Sequence, residues 1–165
     1  MDRELIKQLD DFIKVRLNEK RYRHTMGVVE TASKLAERYG ADTEKAYVAA
    51  LFHDACKNLD IDEMNSLVEK YHIGEVYIDK PQLAHSKLAA AILKDRFGID
   101  DEDILNAISY HTTGRAEMSL RKKSFIYLML LSRTVPIRRR RNSTAWLLRI
   151  STGRVMRLLT MRSVW

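Results

Sequence analysis

The sequence predicts an all-α fold. Through most of residues 1–120, apolar residues recur at the three- and four-residue spacing of amphipathic helices. No stretch there alternates cleanly between apolar and polar residues, and no Asn-Gly or Asp-Gly hairpin signal occurs. A chain of 165 residues with 45% hydrophobic content can bury one sizeable core. We therefore expect a single helical domain in this part of the chain.

The first two predicted helices precede residue 41. Leu5, Leu9 and Ile13 share one face of the first helix. The second begins near Tyr22 and ends at Gly40, because glycine readily adopts the left-handed conformation that follows many helices.

A third helix is predicted to begin at a polar cap, Asp42 or Thr43. It is rich in alanine and leads into the adjacent pair His53 and Asp54. Because its residues are small and apolar, we expect this helix to be buried and to carry the pair into the interior.

Three further helices are predicted before residue 112. A short one spans residues 62–71, and a longer one spans residues 83–97. The last begins at Asp100 or Asp101 and runs to His111.

The charge distribution divides the chain near residue 120. Twelve of the 29 Lys and Arg residues lie in residues 121–165, and none of the 22 acidic residues does. We therefore expect one domain over residues 1–120 and a distinct basic tail over residues 121–165. The four arginines at 138–141, with Trp146 nearby, are typical of a nucleic-acid-binding arm. A solvated, poorly ordered tail is the alternative.

Composition also limits the compartment. The single cysteine, Cys56, excludes an internal disulfide framework and favours a reducing compartment, which we take to be the cytoplasm. No apolar run approaches the roughly 20 residues of a membrane-spanning helix, so no membrane partner is expected. The N-terminal stretch is too acidic for a signal peptide.

The adjacent His53 and Asp54 are the residues that first indicate chemistry. A carboxylate buried beside an imidazole needs a cation to neutralise it. A divalent metal would do so, and imidazole nitrogen with carboxylate oxygen suits iron, manganese or zinc. The pair by itself is a weak signal, and an isolated histidine is more often structural.

Four motifs in order strengthen this interpretation. RYRHTMGV, LFHDACKNL, QLAHS and AISYHTTG follow one another along the chain. Their order resembles the HD phosphohydrolase superfamily, and more narrowly the bacterial YqeK-type symmetrical bis(5'-nucleosyl)-tetraphosphatases. The resemblance covers about residues 1–120 and implies an HD-domain helical bundle whose separate helices converge on one or two metal ions.

The resemblance implies a role for each matching residue. His24, His53 and Asp54 would bind the metal, with iron expected and manganese or zinc as alternatives. His85 and His111 would bind a second metal or the substrate. Asp54 and Lys57 would be catalytic, with Lys57 offsetting phosphate charge. Substrate binding would fall to Arg21, Thr112 and Thr113. His72 matches no motif, and we expect it to be structural or on the surface.

The implied reaction is metal-dependent cleavage of diadenosine tetraphosphate into two molecules of ADP. The second hypothesis for an enzymatic function is another HD hydrolase that acts on a different nucleotide. A nucleic-acid-binding protein acting through the arginine-rich tail is the alternative from a different class. The choice between a monomer and a homodimer stays open at this stage.

The tail departs from the family. The resemblance implies one further metal ligand, an aspartate on a late helix, but no aspartate follows Asp103 in this chain. If the reading frame is moved by one nucleotide, the codons of residues 121–126 can encode Glu-Lys-Val-Ile-Tyr-Leu. The junction of Leu128 and Met129 can then encode an aspartate. We hypothesise a frameshift near residue 120, which would leave the metal site incomplete and this exact chain weakly active or inactive.

Overall fold

The computed structural model describes residues 2–114, and every helix or strand assigned in that range is a helix. The all-α prediction is confirmed for this part of the chain. The basic tail and the arginines at 138–141 lie outside the described residues, so the division at residue 120 stays a prediction. The helices are α1 (Arg3–Arg16), α2 (Glu19–Tyr39), α3 (Thr43–Phe52), α4 (Ile61–Lys70), α5 (Pro81–Phe97) and α6 (Glu102–Tyr110), with a short 3-10 helix at Glu75–Tyr77.

The predicted helices differ from the observed ones mainly at their first residues. The second was expected near Tyr22, but α2 begins at Glu19 because the Asn18 side chain accepts a hydrogen bond from Arg21 N at 2.9 Å. The fifth, α5, begins at Pro81 and not at residue 83, since proline fits the first helical position, where no backbone donor is needed.

Helix α3 lies at the centre of the domain. It packs against α2, α6, α1 and α5. Its alanines let neighbouring helices approach closely, and Val48, Leu51 and Phe52 have no exposed surface. Among residues 2–114, no helix combines the length and apolar character that a membrane crossing requires.

Three aromatic rings hold the end of α3 in place. Phe52 stacks on Phe12 of α1 with ring centroids 5.4 Å apart. Phe97, at the end of α5, meets both rings edge-on at 5.3 and 5.6 Å. Such aromatic pairs add to the stabilisation from burial alone. They therefore fix the position of Phe52, the residue that directly precedes His53.

Asp101 joins α6 to α3. Its Oδ1 accepts hydrogen bonds from the backbone of Asp103 and Ile104, which caps α6. Its Oδ2 lies 2.7 Å from Lys45 Nζ on α3. Burial raises the pKa of Asp101, but Lys45 and the Ile104 backbone N–H outweigh it, so the pKa lies below its ordinary value.

We expect Asp101→Ala to lower the free energy of unfolding by about 1 kcal/mol, because the cap of α6 is lost. Asp101→Asn keeps the cap and should lose only the exposed ion pair, which contributes little. The ion pair should be present at neutral pH and lost as the pH falls through the lowered pKa of Asp101. Urea unfolding at pH 7 measures both variants.

Asp100→Ala is the matched control, since Asp100 pairs with Lys94 on the surface at 2.7 Å and caps no helix. Equal losses in Asp101→Asn and Asp101→Ala would contradict the capping role.

Candidate metal centre

The His53–Asp54 pair lies where α3 ends inside the protein. His53 is the first residue after the helix and keeps helical backbone angles, and a turn follows in which Lys57 N bonds to Asp54 O at 2.9 Å. The side chains of His53 and Asp54 are 1% and 0% exposed. The expected burial of this pair is confirmed.

Three other histidines converge on this pair from different elements. His24 comes from α2, His85 from α5, and His111 directly follows α6. They form two groups that could each hold a metal ion, one of His24, His53 and Asp54 and the other of Asp54, His85 and His111. Within each group, one ligand atom per residue lies within 4.8 Å of the others. Asp54 is common to both groups.

Asp54 and the four histidines of the two groups form one cluster, and the distances between their side chains are short. Asp54 Oδ2 lies 3.4 Å from His53 Nε2. Asp54 Oδ1 lies 3.5 Å from Nε2 of both His85 and His111. The two Nε2 atoms of His85 and His111 are 3.2 Å apart.

Backbone carbonyl groups fix the orientation of three imidazoles. A carbonyl oxygen only accepts hydrogen bonds, so each Nδ1 beside one must carry the proton and donate. Each Nε2 then faces Asp54 either as a lone pair or, with a second proton, as a donor. The donating pairs are His53 Nδ1 to Ala50 O at 2.7 Å, His85 Nδ1 to Pro81 O at 2.9 Å, and His111 Nδ1 to Ile108 O at 2.7 Å.

The ionisation of the cluster matches that of a metal ligand set. Burial raises the pKa of Asp54, but contacts with His111, His53 and His85 outweigh it and hold this pKa well below its ordinary range. Burial lowers the pKa of His111 to about 4, so this imidazole resists a second proton at neutral pH. Metals bind ionised carboxylates and neutral imidazoles.

Unsatisfied polar atoms show that these residues fit a divalent metal. Among residues 2–114, buried His53 Nε2 and Asp54 Oδ1 have no hydrogen-bond partner. Such atoms are costly in an interior unless something compensates them. Imidazole nitrogens around a carboxylate suit divalent first-row metals, so the cluster implies a divalent metal.

A family model described as the HD domain matches residues 21–138. The chain belongs to the HD domain family. The match extends past residue 120 and therefore includes part of the basic segment.

Three curated relatives of this HD domain are named symmetrical bis(5'-nucleosyl)-tetraphosphatase. The protein from Halalkalibacterium halodurans is 46% identical over 112 residues, covering 67% of this chain and 60% of the relative. Those from Bacillus subtilis and Staphylococcus aureus are 44% and 43% identical, with 67% of this chain and 60% and 57% of the relatives covered. The chain thus spans about 60% of the length of these relatives.

A solved structure from Clostridium acetobutylicum resembles this HD domain. It is described as a predicted HD superfamily hydrolase involved in NAD metabolism. The TM-score is 0.69 at 38% sequence identity, and 80% of this chain and 71% of that chain are covered. The HD-domain helical bundle expected from the sequence is confirmed.

Lys57 lies beside His85, one of the histidines of the candidate metal centre. Its Nζ is 3.4 Å from His85 Nδ1. That nitrogen already donates to Pro81 O, so the ammonium lies against the imidazole edge opposite Nε2. Lys57 thus lies next to His85 on the side of the ring away from Asp54, and its catalytic role stays a prediction.

The candidate substrate residues have different surroundings. Arg21 Nη1 contacts Asp54 Oδ2 at 3.0 Å. Thr112 Oγ1 is buried and has no hydrogen-bond partner among the described residues, whereas Thr113 is exposed and donates to Gly114 O at 3.0 Å. Their substrate-binding roles stay predictions. His72 is exposed and belongs to neither metal-binding group of the described residues.

Sequence reasoning missed the carbonyl partners of the histidines and the contact between Arg21 and Asp54. One signal was present. Arg21 precedes His24 by three residues on one helix, and this spacing places both on the same face.

We expect Asp54→Asn to weaken metal binding by at least tenfold, because this carboxylate belongs to both groups and an amide carries no charge. His24→Ala and His85→Ala should each affect one group. Metal per protein, measured by mass spectrometry after dialysis against limiting Mn²⁺, checks this.

His72→Ala is the control and should retain wild-type metal content, because the His72 side chain lies outside both groups. Wild-type metal content in Asp54→Asn would remove the shared-ligand interpretation.

Proposed function

We propose that this HD domain is a metal-dependent phosphohydrolase that cleaves dinucleoside tetraphosphates symmetrically. With diadenosine tetraphosphate, the products are two molecules of ADP. The observation that carries the proposal is the buried carboxylate of Asp54 between two groups of histidines. It occurs in a chain 46% identical over 112 residues to a symmetrical bis(5'-nucleosyl)-tetraphosphatase.

The metal ion is proposed to be iron, with manganese or zinc as alternatives. His24, His53 and Asp54 would hold one ion, and His85 and His111 would hold a second ion with Asp54 or contact the substrate. When bound, a divalent ion supplies Lewis acidity, which polarises phosphoryl oxygens and lowers the pKa of water.

The burial of the ligand side chains supports this chemistry. His53, Asp54, His85 and His111 are each at most 1% exposed. Charge interactions are strong in such a low-dielectric interior, where water does not compete for the same groups. Backbone hydrogen bonds hold three of the imidazoles in place, so little reorganisation is needed when substrate arrives.

Lys57 is the proposed source of positive charge for the phosphates. Phosphoryl transfer spreads negative charge over the equatorial oxygens, and a nearby ammonium stabilises that charge. Its position beside His85 supports this role, since the ammonium lies at the edge of the cluster.

Thr112 and Thr113 are the proposed hydroxyl donors to the phosphate chain. They follow His111 directly, so a phosphate at the metal would lie near their turn. Thr112 Oγ1 has no hydrogen-bond partner in the described part of the chain and can donate.

We expect the purified chain, given Mn²⁺ or Fe²⁺, to convert diadenosine tetraphosphate into ADP as the single nucleotide product, only weakly because the late aspartate is missing. A chain whose tail is restored to the other reading frame should do so faster. Chromatographic separation of the products tests this. Formation of AMP with ATP would instead indicate asymmetrical cleavage and contradict the proposal.

We expect Lys57→Met to lower kcat by roughly 10²-fold, as for other groups that stabilise transition-state charge. Its metal content should match wild type, because Lys57 is not a ligand. Lys34→Met is the matched control, since Lys34 pairs with Glu30 on the exposed surface of α2. An unchanged kcat in Lys57→Met would remove Lys57 from the mechanism.

The sequence of the basic tail, residues 121–165, affects the activity expected of this chain. We propose that the reading frame is displaced by one nucleotide near residue 120, which removes an aspartate ligand and creates the basic segment 121–165. The absence of any aspartate after Asp103 supports this. Sequencing the encoding DNA across codons 115–130 tests it, and one intact frame in independent isolates would overturn it.

We also propose a cytoplasmic location, supported by the single cysteine. Cys56 is buried and free, and burial raises the pKa of its thiol to about 12. A thiol of this kind is inert and needs no oxidising compartment.

A further inference from the structure

The guanidinium of Arg21 contacts the carboxylate that both histidine groups share. Arg21 Nη1 lies 3.0 Å from Asp54 Oδ2, and the bond is charge-assisted. The Asp54 side chain is fully buried, whereas 31% of the Arg21 side chain is exposed. Arg21 therefore reaches inward from the partly exposed first turn of α2.

The two oxygen atoms of Asp54 have different neighbours. Oδ2 accepts the bond from Arg21 and lies 3.4 Å from His53 Nε2. Oδ1 lies 3.5 Å from Nε2 of His85 and of His111. One oxygen atom thus faces each group of histidines.

An aspartate side chain does not hold such an orientation by itself. Its last torsion angle joins an sp³ carbon to an sp² carbon and has only broad preferences. The contacts with the imidazoles are 3.4–3.5 Å long, beyond the ordinary range for a hydrogen bond. The 3.0 Å bond from Arg21 has ordinary hydrogen-bond length and fixes the rotation of the carboxylate.

We propose that Arg21 is a positioning residue for the metal centre. Its guanidinium fixes the rotation of the Asp54 carboxylate so that one oxygen atom serves each histidine group. Arg21 acts through Asp54 and needs no contact with the substrate. The inference concerns metal binding and does not depend on which nucleotide is hydrolysed.

The first turn of α2 explains why Arg21, and not Arg23, has this position. Asn18 accepts a hydrogen bond from Arg21 N at 2.9 Å, which fixes where the helix begins. Arg21 lies one turn before His24 and faces inward with it. Arg23 is 73% exposed and pairs with Glu19. Arg23 is therefore a matched control on the same turn.

Charge alone predicts the opposite effect on metal binding. A guanidinium next to a ligand repels a divalent cation, so its removal would strengthen binding if orientation contributed nothing. Arg21→Lys separates the two effects, because lysine keeps the positive charge but lacks the planar, rigid fork of donors.

The test is the Mn²⁺ affinity of the full chain without nucleotide, measured by competition with a chromophoric chelator. Hydrogen-bond partners of metal ligands typically change metal affinity by about 10–100-fold. We expect Arg21→Lys, which keeps the charge but loses the fork of donors, to raise the Kd for Mn²⁺ about tenfold. Arg21→Met loses the repulsion as well as the donors, so its Kd should rise less than that of Arg21→Lys but stay above wild type. Arg23→Lys and Arg23→Met should keep the wild-type Kd. Circular dichroism checks that every variant is folded.

Activity at saturating Mn²⁺ is the second measurement. We expect excess Mn²⁺ to restore the kcat of Arg21→Lys on diadenosine tetraphosphate to the wild-type value. The KM of this variant for diadenosine tetraphosphate should equal that of wild type. A raised KM under these conditions would assign Arg21 to substrate binding, as the sequence predicts, and would overturn the positioning role.

Three results of the affinity measurement would also overturn it. These are wild-type Mn²⁺ affinity in both Arg21 variants, tighter binding in Arg21→Met, and absence of Mn²⁺ binding by the wild-type chain. Because this measurement uses no nucleotide, it gives an answer even where the proposed hydrolysis fails.

Discussion

The fully buried carboxylate of Asp54 is the constraint on which the rest of this structure depends. Its pKa lies well below the ordinary range, so the group is charged although its side chain has no exposed surface. A charge in such a place needs opposite charge and hydrogen-bond donors around it. Arg21 supplies one contact at 3.0 Å, and imidazoles from α2, the end of α3, α5 and the end of α6 supply the other members of the two ligand groups. The relative positions of these helices are therefore tied to one side chain.

Helix ends make this arrangement possible. His53 and His111 each directly follow a helix, where carbonyl groups of the last turn lack their usual intrahelical donors. The two imidazoles donate to those carbonyls, which satisfies the helix end and orients Nε2 towards Asp54. Buried aromatic packing around Phe52 then fixes where the first of these helix ends lies. The same residues thus complete the fold and prepare the metal ligands.

Much of the fold could be predicted from the sequence because helix periodicity and capping are local signals. Apolar periodicity predicts the start of α2 three residues late, because the cap, Asn18, is polar and lies outside the apolar repeat. For the site, residue chemistry by itself indicated only the His53–Asp54 pair, and the resemblance of four motifs added His24, His85 and His111. The carbonyl partners of the histidines could not be predicted, since side-chain torsion angles decide which carbonyl each imidazole meets.

The sequence by itself determined the six helical segments, the order of the histidine motifs and the absence of an aspartate after Asp103. These properties depend on residues within a few positions of one another, or they can be read directly from the order and composition of the sequence. Only the tertiary structure decided that Arg21 and Asp54, 33 residues apart, form a hydrogen bond, and that one oxygen atom of Asp54 faces each histidine group. Such distances depend on how α2, α3, α5 and α6 pack together, because a shift of about one helical turn, 5.4 Å, would separate the groups.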